Sequence, residues 1–154
     1  MSDVTWRLGD PTMSAFGRDI EVSNFVRLNL DGSVIRTTYG APYKPQHFPA
    51  GNWHITGTAP EVGHLAPFAI LTDAWQEVEE WALTQDGKYD HATGNMVKDS
   101  HYWIHYSDLD FTWGCIRVIK EDDLRWMVTE VKAEIDRLYA LNPAQAWISM
   151  EVSV

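Results

Sequence analysis

Short runs of β-branched and aromatic residues, interrupted by glycine and proline, fill the first sixty positions of the chain. This pattern is typical of β-strands joined by turns. The runs are Ile20–Val22, Phe25–Leu30, Val34–Tyr39 and Trp53–Thr56. The segment from Gly40 to Gly51 carries three prolines and predicts a loop, because proline fixes its backbone φ angle and lacks an amide donor.

The middle of the chain gives a mixed pattern. Trp75, Val78 and Trp81 recur at helical intervals within the stretch from Asp73 to Gln85, which favours a helix. The alternation of charged and apolar residues inside this stretch also fits a strand. The next segment, from Asp86 to Asp99, is polar and contains two glycines, so we expect a mobile excursion there.

The pattern becomes clear again near the C-terminus. Three acidic residues, Glu121–Asp123, suit the positive end of a helix dipole, and an apolar stripe follows them at helical spacing. The stripe consists of Leu124, Met127, Val128, Val131, Ile135 and Leu138. We expect this helix to end near Asn142 and a last strand to lie within the segment from Ala146 to Val154. The chain therefore reads as one mainly β (α+β) domain, residues 1–154, with a helix near its C-terminus.

Composition narrows the possible functions. The chain has 154 residues, is 45% hydrophobic and carries 22 acidic against 12 basic residues, a net charge of −10. This balance excludes a general nucleic-acid binder, because phosphate affinity depends on clustered lysine and arginine. We find no signal peptide at the N-terminus and no apolar stretch long enough for a transmembrane segment. One cysteine also excludes an intrachain disulfide.

The densest group of reactive residue types lies between Tyr102 and Val118, and it contains the only cysteine, Cys115. A thiol needs a neighbouring base to become a nucleophile, and His105 could lower its pKa and then pass the proton to a leaving amine. Gly114 allows close backbone approach, and the amides around Gly114 and Cys115 could stabilise an oxyanion. The alternative is a buried Cys115 that packs as a small hydrophobic side chain.

Two further interpretations stay open. A zinc-dependent peptidase would use His101, His105 and Cys115 as ligands, with Asp108 or Asp110 completing the site. The two histidines are four positions apart, so they would share one face of a strand. A catalytically inactive module that binds cell wall or protein would need no reactive thiol at all. We expect no cofactor and no metal for the cysteine enzyme.

Three segments carry a resemblance to one family. Thr112–Val118 reads Thr-Trp-Gly-Cys-Ile-Arg-Val and resembles the Ser/Thr-x-Gly-Cys-Ile-Arg signature of the L,D-transpeptidase (YkuD) catalytic domain. Tyr102–His105 resembles that family's strand ending in Ile-His, and Phe48–Gly57 resembles its Thr-Pro-x-Gly-x-Phe-x-Ile segment. The resemblance spans residues 25–135 in the family's order. It implies a β-sandwich or β-barrel domain with a C-terminal helix packed on it.

The resemblance also implies roles for single residues. Cys115 would attack the L-centre carbonyl of a meso-diaminopimelate residue in a peptidoglycan stem peptide, and His105 would be the base and acid. Tyr106 or Ser107 would hold the imidazole tautomer. Arg117 would arrange the cysteine loop and the substrate carboxylate, or form a salt bridge to Asp108 or Asp110. The residues implied at the substrate site are Arg117, Trp113, Thr112, Tyr106 and His101, with Ser107 and Gly114 beside the catalytic pair.

The chain departs from the family after the histidine, where Tyr106 replaces the usual glycine, and the loop from His105 to Cys115 is shorter than usual. Compact loops also occur in peptidoglycan-cleaving relatives, so we expect hydrolysis (L,D-carboxypeptidase or endopeptidase) ahead of transpeptidation. We expect synthesis in the cytoplasm and action in the periplasm or cell wall after delivery or release. An export apparatus or an immunity protein would then be a partner, as for a delivered effector, whereas a phage lysin would be released by a holin.

Overall fold

The computed structural model describes residues 2–28, 31–62, 65–107 and 109–154. Within them the chain forms twelve strands, one α-helix and one short 3₁₀ turn. The strands are β1 (Val4–Arg7), β2 (Thr12–Ala15), β3 (Arg18–Ser23), β4 (Ile35–Arg36), β5 (Pro42–Tyr43), β6 (Gly51–Val62), β7 (Leu65–Thr72), β8 (Gln76–Leu83), β9 (Tyr89–Asp99), β10 (Ile104–Tyr106), β11 (Ile116–Val118) and β12 (Ile148–Ser153). The helix is α1 (Glu121–Leu141), and the 3₁₀ turn is Pro143–Gln145.

Eight strands close into a barrel in the order β1-β12-β6-β7-β10-β11-β3-β2. Most neighbours are antiparallel, but β1 pairs with β12 and β10 pairs with β11 in parallel. Period-two burial explains the sheet: Ile148, Met150 and Val152 of β12 are buried, whereas Ser149 and Glu151 between them are exposed. The same alternation puts apolar side chains of β1, β2 and β3 into the core.

Helix α1 packs against the barrel, chiefly on β6 and β7. The apolar stripe predicted from the sequence is its contact face: Leu124, Met127, Val128 and Val131 are buried, while Ile135 and Leu138 pack partly buried against the core. Each fully buried side chain of this size stabilises the fold by about 1.5–3 kcal/mol relative to exposure. The prediction of a mainly β domain with a C-terminal helix is therefore confirmed, as is the last strand.

A second, four-stranded sheet lies beside the barrel in the order β4-β5-β8-β9. It has a small core of its own, formed by Ile35, Tyr43 and Val78 with Val97 packed against them. Lys44 sits over the rings of Trp81 and Tyr89, 4.1 Å and 5.6 Å from their centroids. Strand β4 falls inside the predicted run Val34–Tyr39, and strand β5 falls inside the segment predicted as a proline-containing loop.

The helix predicted for residues 73–85 is wrong, because this stretch contains strand β8. The predicted excursion at residues 86–99 is also wrong, since most of it is strand β9, paired with β8 from Gln76↔Asp99 to Leu83↔Tyr89. Long-range main-chain pairing outweighs the helical spacing of the apolar residues here. The polar composition of β9 reflects exposed side chains on an edge strand, whose backbone is nonetheless hydrogen-bonded to β8.

The sequence patterns also miss or overstate other strands. Strands β1 and β2 have no counterpart among the predictions. The run Phe25–Leu30 forms no strand in its described part, although Val26 makes an isolated bridge with Thr112. Its last two residues, Asn29 and Leu30, lie outside the described residues. Among the described residues, no helix is both long and apolar enough to cross a lipid bilayer.

Candidate active site

A cavity of about 540 Å³ opens where the barrel meets the second sheet. Its lining contains the two residues at the centre of the sequence hypothesis, His105 and Cys115. The remaining lining residues come from the second sheet, from the segment before β10 and from the loop before β11: Arg36, Thr38, Tyr43, Asp99, Ser100, His101, Tyr102, Leu109, Phe111, Thr112 and Trp113. A cavity of this size accommodates a small peptide segment.

Cys115 lies in the loop that leads directly into β11 and is half-buried. Its Sγ accepts a hydrogen bond from the Trp103 N–H at 3.3 Å and lies 3.6 Å from the His101 carbonyl oxygen. Burial raises the pKa of the Cys115 thiol to about 11; the Trp103 N–H opposes this, and the negative charge of Asp99 adds to it. This direction is opposite to the lowering expected from His105, and it favours a protonated thiol at neutral pH.

His105 lies on β10 and is buried. Its Nδ1 is 3.3 Å from the carbonyl oxygen of Tyr106. Because a carbonyl oxygen only accepts hydrogen bonds, this contact favours the tautomer with its proton on Nδ1. Of the two residues expected to hold the tautomer, the backbone of Tyr106 makes the contact, whereas the Ser107 hydroxyl accepts the Leu109 N–H at 3.1 Å.

The loop from Thr112 to Cys115, here called the cysteine loop, is held by side chains. The Thr112 hydroxyl donates to the Cys115 carbonyl at 2.8 Å and accepts the Gly114 N–H at 3.2 Å. The Asn24 amide, from the end of β3, donates to the carbonyls of Gly114 and Cys115 at 3.0 Å and 2.9 Å. These bonds fix the backbone that carries the thiol before any ligand binds.

The two candidate oxyanion donors differ in availability. The Gly114 N–H is already engaged by the Thr112 hydroxyl. Among the described residues, no acceptor takes the N–H of Cys115. Of these two amides, only that of Cys115 lacks a hydrogen-bond acceptor in the part of the chain that the structure describes.

Gly114 is required by the shape of the loop. Its φ is +127°, and a Cβ built there would lie 2.6 Å from Cε1 of Tyr102 and 2.8 Å from the carbonyl oxygen of Gln46. Tyr102 is 2% exposed and cannot move away freely. Only glycine therefore fits at position 114 in this conformation.

We expect Gly114→Ala to lower the free energy of unfolding by about 2–4 kcal/mol, because it adds a steric clash to an unfavourable φ angle. The matched control is Gly87→Ala, where φ is +80° but nothing lies within 4 Å of the added Cβ. That control should cost only about 1–2 kcal/mol of backbone strain. Urea denaturation of both variants measures the difference, and equal losses would contradict the steric argument.

Arg117 lies on β11 directly opposite His105 of β10 in the parallel register. Its Nε donates to the Ser107 carbonyl at 2.8 Å, so Arg117 supports the chain just after His105. It does not belong to the described lining of the cavity, and the described residues contain no ion pair between Arg117 and Asp110. The alternative partner Asp108 lies outside the described residues.

The remaining predicted site residues divide between cavity and core. Trp113 is 42% exposed on the cavity wall, and Thr112 lines it as well. His101 also lines the cavity but precedes β10, with φ +65° and its ring stacked on Trp103 at 5.1 Å. The expectation that His101 and His105 share one strand is therefore wrong. The Tyr106 side chain packs against the core and is not among the lining residues described.

The zinc alternative finds no matching geometry. In the ranges the structure describes, no group of three or more histidine, cysteine, aspartate or glutamate side chains is placed to hold a metal ion. His101, His105 and Cys115 line one cavity, but they do not form such a group.

Sequence reasoning missed three residues that shape the site: Asn24, Asp99 and Tyr102. Asp99 is 4% exposed, and it accepts the Tyr102 hydroxyl at 2.8 Å and the Thr38 N–H at 3.3 Å. Burial, together with the Asp99 charge, raises the pKa of Tyr102. Asp99 ends a stretch whose polar composition predicts a loop, and Asn24 lies ninety positions from Gly114, so local patterns indicate neither role.

Comparisons with family models, with curated proteins and with solved structures found no match.

Proposed function

We propose that this protein is a cysteine-dependent acyl-transfer enzyme that acts on peptidoglycan stem peptides. The observation that carries the proposal is the cavity that contains both Cys115 and the buried His105. Three features support it: a contact that favours a proton on His105 Nδ1, a cysteine loop fixed by hydrogen bonds, and a Cys115 amide with no acceptor among the described residues. The substrate class comes from the resemblance of the Thr112–Val118 segment to the L,D-transpeptidase signature.

The raised pKa of the thiol determines the order of events. His105 Nε2 takes the thiol proton while Cys115 Sγ attacks the L-centre carbonyl carbon of meso-diaminopimelate. The Cys115 amide stabilises the oxyanion. His105 then gives its proton to the leaving amine, the C–N bond breaks, and a thioester remains on Cys115. Water or a second stem's amine attacks the thioester and regenerates the thiol.

Attack by water makes the protein an L,D-carboxypeptidase or endopeptidase, and attack by an amine makes it an L,D-transpeptidase. We propose hydrolysis as the main outcome. Both reactions share the acyl-enzyme step, so the cavity residues serve the same roles in either one. Action in the periplasm or cell wall follows from the substrate and belongs to the same proposal.

The test is mass spectrometry of purified stem tetrapeptides and cross-linked dimers after incubation with the wild-type protein in H₂¹⁸O. Hydrolysis will release a terminal residue or cut a crosslink and place ¹⁸O in the new carboxylate. A D-amino acid added as acceptor will instead appear in exchanged peptides if an amine attacks the thioester. Unchanged peptides in both reactions would contradict the proposal.

Two pretreatments separate the cysteine mechanism from the zinc alternative. Iodoacetamide applied at alkaline pH, where part of the thiol is ionised, will alkylate Cys115 and abolish turnover, whereas EDTA will leave turnover unchanged. The reverse result would identify a metal-dependent peptidase. The same protein preparation serves both arms, so loss of folding cannot explain a difference between them.

A further inference from the structure

A buried carboxylate lies in the cavity wall without a cationic partner. Asp99 ends strand β9, is 4% exposed and lines the same cavity as Cys115. The Tyr102 hydroxyl and the Thr38 backbone N–H donate hydrogen bonds to it, and the Tyr43 side chain also interacts with it; all three groups are neutral. No lysine, arginine or histidine of the described residues forms an ion pair with it.

Burial of a carboxylate without an opposite charge is costly, and neutral donors offset only part of that cost. A fold that needed only a hydrogen-bond acceptor for Tyr102 could use an asparagine or glutamine oxygen at lower cost. Asp99 also belongs to the lining of a cavity large enough for a ligand.

The position of Asp99 relative to the thiol is constrained through Tyr102. The Tyr102 hydroxyl donates to Asp99, while the ring of Tyr102 lies against Gly114, the residue before Cys115. Asp99, Tyr102 and the cysteine loop are thus linked by consecutive contacts. A ligand group held at Asp99 would leave the neighbouring atoms of the ligand beside the thiol.

We propose that Asp99 determines substrate specificity by binding an ammonium group of the ligand next to the bond that Cys115 attacks. This proposal rests on the proposed function for the identity of the peptide. It adds the charge of the ligand group that the cavity selects. Burial is the main cause of the raised thiol pKa, and the negative charge of Asp99 adds to it; an ammonium at Asp99 would offset that smaller contribution.

Arg36 is the only lysine or arginine in the described lining. Its Nη1 donates to the Gly40 carbonyl at 2.9 Å, and its side chain is exposed at the rim. An anionic group that entered the cavity would therefore meet Arg36 rather than Asp99. The test below includes an anionic reagent for this reason.

The test measures how fast Cys115 reacts with methanethiosulfonates that differ in charge, at neutral pH. In each reaction the thiolate attacks the reagent sulfur, a disulfide forms and methanesulfinate leaves. The reagents carry 2-aminoethyl, methyl or 2-sulfonatoethyl groups. Each rate is divided by the rate for the same chain unfolded in urea, which removes the intrinsic reactivity of the reagent.

We expect the folded-to-unfolded ratio to be about tenfold higher for the 2-aminoethyl reagent than for the methyl reagent, since a partly buried charge pair is worth a factor of this order. Asp99→Asn should bring the two ratios together while retaining a hydrogen-bond acceptor for Tyr102. The matched control is Asp90→Asn on the same strand, whose carboxylate is exposed and should leave the preference unchanged.

Equal ratios for the cationic and neutral reagents in the wild type would overturn the proposal, even if Asp99→Asn does not fold. A preference for the anionic reagent would overturn it as well and would assign selection to Arg36. No peptide is used, so this readout is independent of the stem-peptide assay. If stem peptides are cleaved and the charge preference is absent, only the role of Asp99 fails.

Discussion

Cys115→Ala will abolish turnover of stem peptides, with a loss of about a thousandfold or more in kcat/KM, because no other residue of the chain carries a thiol that forms the thioester. Cys115→Ser will be almost as inactive. A hydroxyl is a far weaker acid than a thiol, and the burial that raises the thiol pKa also disfavours an alkoxide.

The loss must be separated from a loss of folding. Cys115 is half-buried, and its Sγ makes two weak sulfur contacts, so Cys115→Ala should lower the free energy of unfolding by about 1 kcal/mol. Intact-protein mass spectrometry adds a second readout, because only the wild type can retain a stem-peptide mass adduct as a thioester. Full activity of Cys115→Ala on stem peptides would rule out the covalent mechanism.

His105→Gln will lower kcat by about a hundredfold to ten-thousandfold, with a smaller change in KM, since His105 acts on the proton that moves during attack. His91→Gln is the matched control: it changes an exposed histidine on strand β9 whose imidazole is hydrogen-bonded to Asp90. That control should retain wild-type turnover. A similar loss in both variants would show that the effect is not specific to the cavity.

The pH dependence of thiol alkylation tests the order of proton transfer in the free enzyme. Because burial raises the pKa of Cys115 to about 11, iodoacetamide labelling should accelerate with rising pH until an inflection near that value. His105→Gln should keep the same inflection, since the imidazole is proposed to act during attack rather than to stabilise a resting thiolate. An inflection below neutral pH in the wild type would indicate a resting thiolate–imidazolium pair instead.

The elements that the sequence predicts correctly are those whose pattern is local. Helix α1 carries its own stripe from Leu124 to Leu138, and β12 carries its own alternation from Ile148 to Val152. Strand β8 shows the opposite case: Trp75, Val78 and Trp81 fit a helix until the pairing with β9 and β5 is known. Such pairing joins segments that are distant in the sequence, so the periodicity of one segment alone does not predict it.

In the candidate site, too, the sequence predicts what lies in one local segment and misses what long-range contacts bring in. The pair His105 and Cys115 is visible in the sequence because both fall in one short segment that folds as strand, loop and strand. The supports from outside that segment are not visible, since Asn24 bonds to the cysteine loop from just after β3 and Asp99 enters the cavity lining from the second sheet. The direction of the thiol pKa shift depends on burial, which only the assembled fold determines.

The parallel pairing of β1 with β12 affects how the chain folds during synthesis. Val4 is aligned with Met150, so the barrel closes by joining strands from opposite ends of the described chain. Loop-closure entropy makes such contacts slow to form. On the ribosome, β1 and β6 must wait with unpaired edges until β12 has emerged, which exposes them to intermolecular pairing. Barrel closure is therefore the step at which a chaperone would most increase the yield of folded protein.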